Sequence, residues 1–535
     1  MKTIQALSFG FRDAENYRRR ENKDLLNRFF VHTPSLDEIL DAGRCFLVGE
    51  KGTGKTAYAV YLSNNNYHEV AASLKFIRET EYQKFLELKR TKSLVLTDYT
   101  NIWKVIICIL LAESISEQEG SESFWSTFKK FACLKKAIDE YYLHAFSPEI
   151  ISAMQLVEES SIAASILSKY AKLSGDEKET RSFSETRFQT NLLYIQRHLE
   201  TALRSLKLKR HHLLFIDGID IRPSAVPYED YLECVKGLAN AVWSLNNDFF
   251  ANIKDSKGRI RVVLLIRPDI FDSLGLQNTN SKIKDNSVVL DWGTTYKEHR
   301  RSSLFCVSDK MLASQQEDQL PTGATWDHYF PFDASNIHEQ MNVPTSFITV
   351  LRHSLYRPRD VLVILSILRE NLVAEGRGSD LSFRNSDFEN PTFTRKYSDY
   401  LLGEVKDHLS FYYRAQDYEI LLKFFQFLNG HSRFTYDEFI DAYTAFDHFL
   451  KRGVTERPAF CESSDRLLQF LYELNVLSYI IDADGTPFFG YCFRERTPSN
   501  ISPKVRTHVR YDIHYGLMKA LDLGKHFRVA GPGVR

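Results

Sequence analysis

The chain has 535 residues, too many for a single hydrophobic core, and this length predicts roughly two to four domains. Lysine and arginine total 69, as do aspartate and glutamate, which excludes a net charge that would draw the whole protein onto nucleic acid or anionic lipid. Seven scattered cysteines without a Cys-x-x-Cys pair argue against a disulfide framework or a zinc site, and no apolar run is long enough to span a membrane, so we expect a cytoplasmic protein without membrane contact.

The N-terminal region, residues 1–40, mixes short apolar stretches with charge, including Arg18-Arg19-Arg20. We interpret it as a solvated helical lead-in. The first buried strand is predicted at Arg44-Cys45-Phe46-Leu47-Val48, and a helix is predicted to begin at about residue 57.

Between that strand and that helix lies a full G-x-x-x-x-G-K-[ST] motif, residues 49–56, in the context that a phosphate-binding loop requires. Glycines allow successive N–H groups to turn inward on phosphates, and the helix N-terminus adds its positive end. Lys55 is expected to reach the β- and γ-phosphates of ATP, and the Thr56 hydroxyl to bind Mg²⁺. The residues predicted to contact the nucleotide are Gly49, Glu50, Lys51, Gly52, Thr53, Gly54, Lys55, Thr56 and Ala57.

The segment after this loop is predicted to be mostly helical. Ser93-Leu94-Val95-Leu96-Thr97 is the next predicted strand, because it is rich in β-forming residues. From about residue 101 to 210 apolar residues recur at helical spacing, interrupted by a polar loop at 174–184. This pattern indicates a helical insertion before the next strand of the sheet.

His212-Leu213-Leu214-Phe215-Ile216-Asp217 has the pattern of a Walker B strand. A parallel strand ends at the ligand-binding edge of the sheet, so Asp217 is predicted to hold Mg²⁺ through water opposite Thr56. An ordinary strand end followed by an Asp-Gly turn is the alternative. Asp220 is the candidate for polarising an attacking water, or it caps a helix that begins near Pro227.

Arginines at two further positions are candidate sensors of the γ-phosphate. Arg267 ends the predicted strand at residues 261–266, although Asp269 or Asp272 are alternative ion-pair partners. A fifth strand is predicted at 287–292 and a helix at 296–312. Arg357 or Arg359, flanking Pro358 at a helix start, is the second candidate; the alternative is that Arg359 and Asp360 are surface charges.

The C-terminal part combines predicted helices at 421–428, 436–443 and 467–474 with strands at 476–481 and 487–493 around an Asp-Gly turn. Three helices and a hairpin indicate a winged helix. This region is either a protein-packing module or a nucleic-acid contact, made by the basic residues Arg494, Arg496, Lys504, Arg506 and Arg510.

These motifs together resemble the AAA+/STAND group of P-loop ATPases. More narrowly, the stretch Phe9-Gly10-Phe11-Arg12-Asp13-Ala14-Glu15 resembles the start of bacterial P-loop ATPases found in antiphage-defence or DNA-associated contexts. The resemblance implies an α/β three-layer core with a parallel sheet of order 5-1-4-3-2, ATP-dependent homo-oligomerisation and a switch role. Gly218 stands where AAA+ enzymes usually place a catalytic Glu, and Lys55 and Asp217 are unusually far apart in sequence.

The predicted organisation has five parts. They are the lead-in at 1–40, an ATPase core at 41–310, a helical lid at 311–375, a linker and helix at 376–415, and a winged-helix-like domain at 416–535. We expect an ATP-hydrolysing switch that acts with a separate effector protein. The alternatives are a nucleic-acid-associated initiator or loader and a scaffold that holds ATP without turnover.

Overall fold

The computed structural model describes residues 1–77, 96–118, 193, 196–197, 199–222, 226–276, 284–318, 320–334, 343–453, 456–483, 486–497 and 499–524. The chain divides into two compact units. The sheet unit comprises Pro34–Gly49 and Lys55–Val289, and the C-terminal unit comprises Met1–Thr33, Glu50–Gly54 and Leu290–Arg535.

The helices and strands have the following bounds. The main helices are α1 (Lys23–Phe29), α2 (Pro34–Glu38), α3 (Lys55–Asn64), α4 (Leu96–Gln118), α5 (Tyr228–Ser244), α6 (Pro268–Ser273), α7 (Ser303–Ala313), α8 (Ala324–Tyr329), α9 (Ser346–His353), α10 (Pro358–Ala374), α11 (Asn385–Glu389), α12 (Pro391–Tyr412), α13 (Ala415–Gln426), α14 (Tyr436–Gly453), α15 (Ser464–Glu473) and α16 (Cys492–Glu495). The strands are β1 (Phe46–Val48), β2 (Val70–Phe76), β3 (His211–Asp217), β4 (Ile260–Ile266), β5 (Ser287–Val289), β6 (Arg433–Thr435), β7 (Leu477–Ala483), β8 (Thr486–Gly490) and β9 (Arg510–Ile513).

The sheet unit is built on five parallel strands in the order β2-β3-β4-β1-β5. The order is the expected 5-1-4-3-2, so the prediction of an α/β fold with this parallel sheet is confirmed. Every residue of β4 is buried, as expected for a central strand covered on both faces. Val48 of β1 pairs with Ile266, and Ile216 of β3 with Leu264, so β1 and β3 end at the same edge of the sheet.

The prediction for the second strand is wrong. Leu96 and Thr97 begin the 23-residue helix α4, and residues 93–95 lie outside the described ranges. The apolar stripe of α4 packs on α5, where Trp103 Nε1 donates to the Cys234 carbonyl at 3.1 Å, so packing overrides the local β propensity. The second strand is instead β2, an edge strand whose mixed sequence lacks the run of large apolar residues expected of a buried strand.

Much of the predicted helical insertion at 101–210, with the loop at 174–184, lies outside the described residues. Within the described ones, α4 and residues 199–204 are helical, as predicted. The six described cysteines, Cys45, Cys108, Cys234, Cys306, Cys461 and Cys492, are free thiols. Burial raises the pKa of the Cys45 thiol to about 11, which keeps it protonated at neutral pH.

The N-terminal lead-in differs from the solvated helix predicted for it. Ile4, Leu7 and Phe9 are buried within the C-terminal unit, and the Ile4 N–H donates to the Asp380 carbonyl at 2.9 Å. Arg369 of α10 donates to the Leu7 carbonyl at 2.6 Å. The short apolar stretches therefore pack into the C-terminal unit, and the charged residues between them in the sequence lie at the surface.

An aromatic core organises helices α7 to α9 in the C-terminal unit. Trp326 is fully buried, and its ring stacks on Phe330 at a centroid distance of 4.2 Å and meets Phe347 edge-on at 5.1 Å. The carboxylate of Asp309 in α7 accepts from the backbone N–H of Trp326 at 2.9 Å and of Gly323 at 2.8 Å, which fixes the start of α8.

The rest of the C-terminal unit matches the predicted helices and hairpin closely. Helices α13, α14 and α15 are followed by the antiparallel pair β7-β8, which belongs to a four-stranded sheet of order β6-β9-β7-β8. The first part of the predicted linker at 376–415 holds the short helix α11, and Arg377 bridges Asp380 at 3.0 Å and Asp387 at 2.7 Å.

The Trp326→Ala variant tests this aromatic core. Removing a fully buried tryptophan is expected to lower the free energy of unfolding by about 3–5 kcal/mol, because lost burial and the remaining cavity add. Leu381→Ala, at a side chain that is 48% exposed, is the control and is expected to change stability by less than about 0.5 kcal/mol. Denaturant unfolding measures both; equal losses in the two variants would contradict the described core.

Candidate functional site

The loop at residues 49–56 adopts a backbone that requires glycine at two positions. Gly52 has φ +88° and Gly54 has φ +97°, values that disfavour any side chain. A Cβ at Gly52 would also lie 3.2 Å from Cβ of Arg359. The glycine-dependent turns expected of a phosphate-binding loop are therefore present at these two residues.

Within the sheet unit, the side chain of the loop's lysine contacts the first glycine of the loop. Lys55 is the first residue of α3 and its side chain is 6% exposed. Its Nζ donates to the Gly49 carbonyl at 2.8 Å and lies 3.5 Å from Oδ2 of Asp220. The ammonium is thus held at the N-terminus of α3, where the helix dipole also favours anions.

The two residues predicted to share a metal ion lie in direct contact. Thr56 Oγ1 donates to Oδ2 of Asp217 at 2.6 Å, and Oδ1 of Asp217 accepts from the Gly218 N–H at 2.8 Å. Asp217 is at the carboxyl end of β3, as the Walker B interpretation requires. A hydroxyl and a carboxylate are the oxygen donors that Mg²⁺ prefers, so this pair fits the expected ion.

Burial raises the pKa of the Asp217 carboxyl above its ordinary value. The Thr56 hydrogen bond and the charge of Lys55 act in the opposite direction, while the nearby Asp220 adds to the increase. Without a cation, the ionised form of this carboxylate is therefore costly, and a divalent ion at the same place would favour it.

Asp220 lies beside Lys55, and the alternative role predicted for it is not formed. Helix α5 begins after Pro227 and has no side-chain N-cap. Between Asp217 and Asp220, Gly218 has φ +97°, and a Cβ there would lie 2.5 Å from the Ile77 carbonyl oxygen. The position has no room for a side chain, so the Glu usual in AAA+ enzymes is sterically incompatible with this turn.

Arg267 is engaged by the first of its predicted ion-pair partners. Its side chain is 1% exposed, its Nε donates to Oδ1 of Asp269 at 3.0 Å, and its Nη2 pairs with Oδ2 of the same carboxylate. The geometry favours the ion-pair alternative, and the sensor role stays a prediction.

Within the C-terminal unit, residues 50–54 of the loop are held by several contacts. Thr53 Oγ1 donates to the Glu50 carbonyl at 2.8 Å, and Trp292 Nε1 donates to the Thr53 carbonyl at 2.8 Å. Lys51 pairs with Glu404 at 3.3 Å and with Asp407. Trp292, Glu404 and Asp407 were not predicted, because each is distant in sequence and belongs to no motif.

Arg357 also holds the loop. Its Nη1 donates to the Lys51 carbonyl at 2.9 Å, while Nε and Nη2 bind the Asp360 carboxylate at 3.0 and 2.7 Å. Burial acts to lower the pKa of Arg357, but Asp360, Tyr400 and Glu404 raise it above its ordinary value. Asp360 is fully buried, so the interpretation of this residue as a surface charge is wrong.

Arg359 has fewer side-chain contacts than Arg357 and is more exposed. Its side chain is 24% exposed and lies 3.6 Å from Glu404, and its backbone N–H donates to the Gly52 carbonyl at 3.3 Å. The structure thus brings both arginines to the loop segment 50–54, Arg357 with its guanidinium engaged and Arg359 partly open to solvent.

The basic residues of the C-terminal region have different surroundings. Arg494 lies over the ring of Tyr356 at 5.6 Å and Arg506 over that of Tyr479 at 5.4 Å. Lys504 and Arg510 are exposed. Arg496 instead pairs with Glu50, with its side chain 8% exposed, so it does not belong to an exposed basic surface.

Among the described residues, no group of three or more His, Cys, Asp or Glu side chains is arranged to hold a metal ion. No helix in the described part of the chain is both long and apolar enough to cross a membrane.

The Asp217→Asn variant tests the electrostatics of the site. Because the pKa of Asp217 is raised in the folded state, its contribution to stability is present below the unfolded pKa and is lost as pH rises through the folded pKa. The isosteric amide carries no charge, so the variant avoids the cost of burying an ionised carboxylate. In EDTA and without nucleotide, we expect the variant to melt above the wild type at pH 7, by a margin that shrinks toward acid pH.

The control is Asp255→Asn, where the side chain is 86% exposed and no pH-dependent difference from the wild type is expected. Thermal melts from about pH 4 to 8 measure the effect. An Asp217→Asn variant that is less stable than the wild type at pH 7 would contradict the description of Asp217 as a desolvated carboxylate.

The comparisons with other proteins give no family assignment. The chain matches no protein-family model, no curated protein and no solved structure. Function is therefore inferred from the residues of the loop, from those of β3 and from the residues that contact them.

Proposed function

We propose that this protein binds ATP with Mg²⁺ at residues 49–56 and acts as an ATP-driven conformational switch. The observation that carries the proposal is the hydrogen bond of 2.6 Å between Thr56 and Asp217, two residues 161 positions apart in sequence. Two residues that the sequence predicts to share one ion are thus neighbours in the folded sheet unit.

The residues of the loop have distinct roles in this proposal. The backbone N–H groups around Gly52 and Gly54 bind phosphate oxygens, together with the N-terminus of α3. Lys55 neutralises charge on the β- and γ-phosphates. Thr56, and Asp217 through water, would hold Mg²⁺, which would supply further neutralisation of the charge that develops during phosphoryl transfer.

Hydrolysis depends on a residue that orients water. Asp220, 3.5 Å from Lys55, is the candidate in this chain, since Gly218 excludes a side chain at the usual place. Phosphoryl transfer to water needs mainly positioning and charge stabilisation, which Lys55 and Asp220 provide. Arg267, Arg357 and Arg359 remain candidate sensors, and Arg359 is the one with room to reorient.

The finer architecture belongs to the same proposal. Helices α8 to α10 form the lid, and α13 to α15 with β7-β8 form a winged-helix-like domain, as in the AAA+/STAND group that the chain resembles. That resemblance supports a cytoplasmic homo-oligomer in bacterial antiphage defence, with a separate effector protein. Hydrolysis would reset the switch.

Two other functions have specific support. The exposed residues Arg494, Lys504, Arg506 and Arg510 favour a nucleic-acid-associated initiator or loader, although Arg496 no longer contributes to that surface. The absence of space for a side chain at Gly218 favours a scaffold that holds ATP without turnover. Phosphate release by the wild type that is lost in Asp220→Asn would eliminate the scaffold.

The Lys55→Ala variant tests nucleotide binding. At an ATP concentration of 100 times the Kd, binding stabilises the native state by about 2.7 kcal/mol, which a thermal-shift assay with Mg²⁺ detects. We expect the wild type to shift and Lys55→Ala not to shift, because the variant lacks the ammonium that neutralises charge on the β- and γ-phosphates. Lys207→Ala, at an exposed side chain in the sheet unit, is the control and should behave as the wild type. A wild type that shows no shift with Mg²⁺ and ATP would refute the proposal.

A further inference from the structure

The phosphate loop of this chain carries an acidic residue, Glu50, directly after its first glycine. A carboxylate in a loop that binds a triphosphate adds negative charge where the ligand is itself strongly negative. Within the C-terminal unit this carboxylate forms an ion pair with Arg496, and the two side chains are 17% and 8% exposed. The pair is therefore largely desolvated, and each charge depends on the other.

Contacts other than the ion pair with Glu50 also fix the position of Arg496. It follows the short helix α16, and its Nε donates to the Ile501 carbonyl at 2.9 Å. Burial lowers the pKa of its guanidinium to about 10, which leaves it charged at neutral pH.

The short helix α16 is fixed by several hydrogen bonds. Both Tyr472, at 2.8 Å, and Tyr479 donate to the carboxylate of Glu495, and the Phe493 N–H donates to Asn475 at 2.9 Å. The side chain before Arg496 is thus anchored to α15 and β7. The cation is presented to the loop in a preorganised position, so little conformational freedom is lost in forming the pair.

The contact with Glu50 is one of three made to consecutive residues of the loop. Arg357 donates to the Lys51 carbonyl, and Arg359 donates its backbone N–H to the Gly52 carbonyl at 3.3 Å. Of the three, only the contact from Arg496 comes from the region beyond β8. It is also the only one that neutralises a charge belonging to the loop.

We propose that Arg496 is a positioning residue for the phosphate loop, which neutralises Glu50 and thereby sets the affinity of the loop for a nucleoside triphosphate. The inference rests on the proposed nucleotide binding and adds its regulation. A partner or a movement that draws the turn at Cys492–Arg496 away from Glu50 weakens nucleotide binding. By thermodynamic reciprocity, a bound triphosphate strengthens the hold of that turn.

The experiment measures the Kd of ATP with Mg²⁺ by calorimetry on full-length variants. Arg496→Met removes the ion pair with Glu50 and is expected to weaken binding about tenfold, equivalent to about 1.4 kcal/mol. Arg496→Lys retains the charge and is expected to bind within about threefold of the wild type. Arg466→Met, at an exposed arginine of α15 that pairs with Glu462, is the matched control and should not change the Kd.

Removing the carboxylate separates a charge effect from a structural one. Glu50→Gln is expected to bind ATP at least as tightly as the wild type. The double variant Glu50→Gln, Arg496→Met is expected to recover to within about threefold of the wild type, because the negative charge at residue 50 is gone. A double variant as weak as Arg496→Met would overturn the inference. If Arg496→Met does not fold, Glu50→Gln decides alone, since weaker binding by this variant contradicts the proposed repulsion.

The outcomes also separate this inference from the proposed function. A wild type that does not bind ATP refutes nucleotide binding itself. A wild type that binds, together with an Arg496→Met variant of equal affinity, refutes only the role of Arg496.

Discussion

The hydrogen bond between Thr56 and Asp217 connects the start of α3 to the end of β3, and the candidate site depends on it. It exists because the parallel strands β1 and β3 end at the same edge of the sheet, although β4 lies between them. A strand order that moved β1 or β3 away from β4 would separate the two residues. The candidate site therefore lies at this edge, where the Thr56 hydroxyl, the Asp217 carboxylate and the ammonium of Lys55 are found within the sheet unit.

Much of the sheet and of the site was predictable from the sequence, because their signals are local. Strands such as β4 are apolar on both faces, and the glycines, Lys55 and Thr56 have fixed spacing in the motif. Gly52 and Gly54 have the positive φ values that this motif implies. The strand β2 was not predictable in the same way, since an edge strand needs no continuous apolar run and its sequence contains Ala, Ser and Lys.

The partners of the charged residues were the least predictable features. Nothing near Arg496 in the sequence points to Glu50, and nothing near Glu404 points to Lys51; each pair is created by the packing of distant elements. The sequence around Arg357 suggested only a sensor, whereas for Arg267 an ion pair with Asp269 was one of the predicted alternatives. The folded chain places each arginine in a bidentate pair with a carboxylate two or three residues further along. Arginine forks match carboxylates well, so nearby acids are strong competitors for such residues.

In the proposed site, Lys55, Thr56 and Asp217 supply the chemistry within the sheet unit. Within the C-terminal unit, Arg496 pairs with Glu50 and Arg357 donates to the Lys51 carbonyl. The most direct test of the central claim is a crystal structure of the chain with a non-hydrolysable ATP analogue and Mg²⁺. We expect Mg²⁺ to be bound by Thr56 Oγ1 at about 2.1 Å, with Asp217 in contact through water. A nucleotide bound elsewhere, or a metal ion that contacts neither Thr56 nor Asp217, would contradict it.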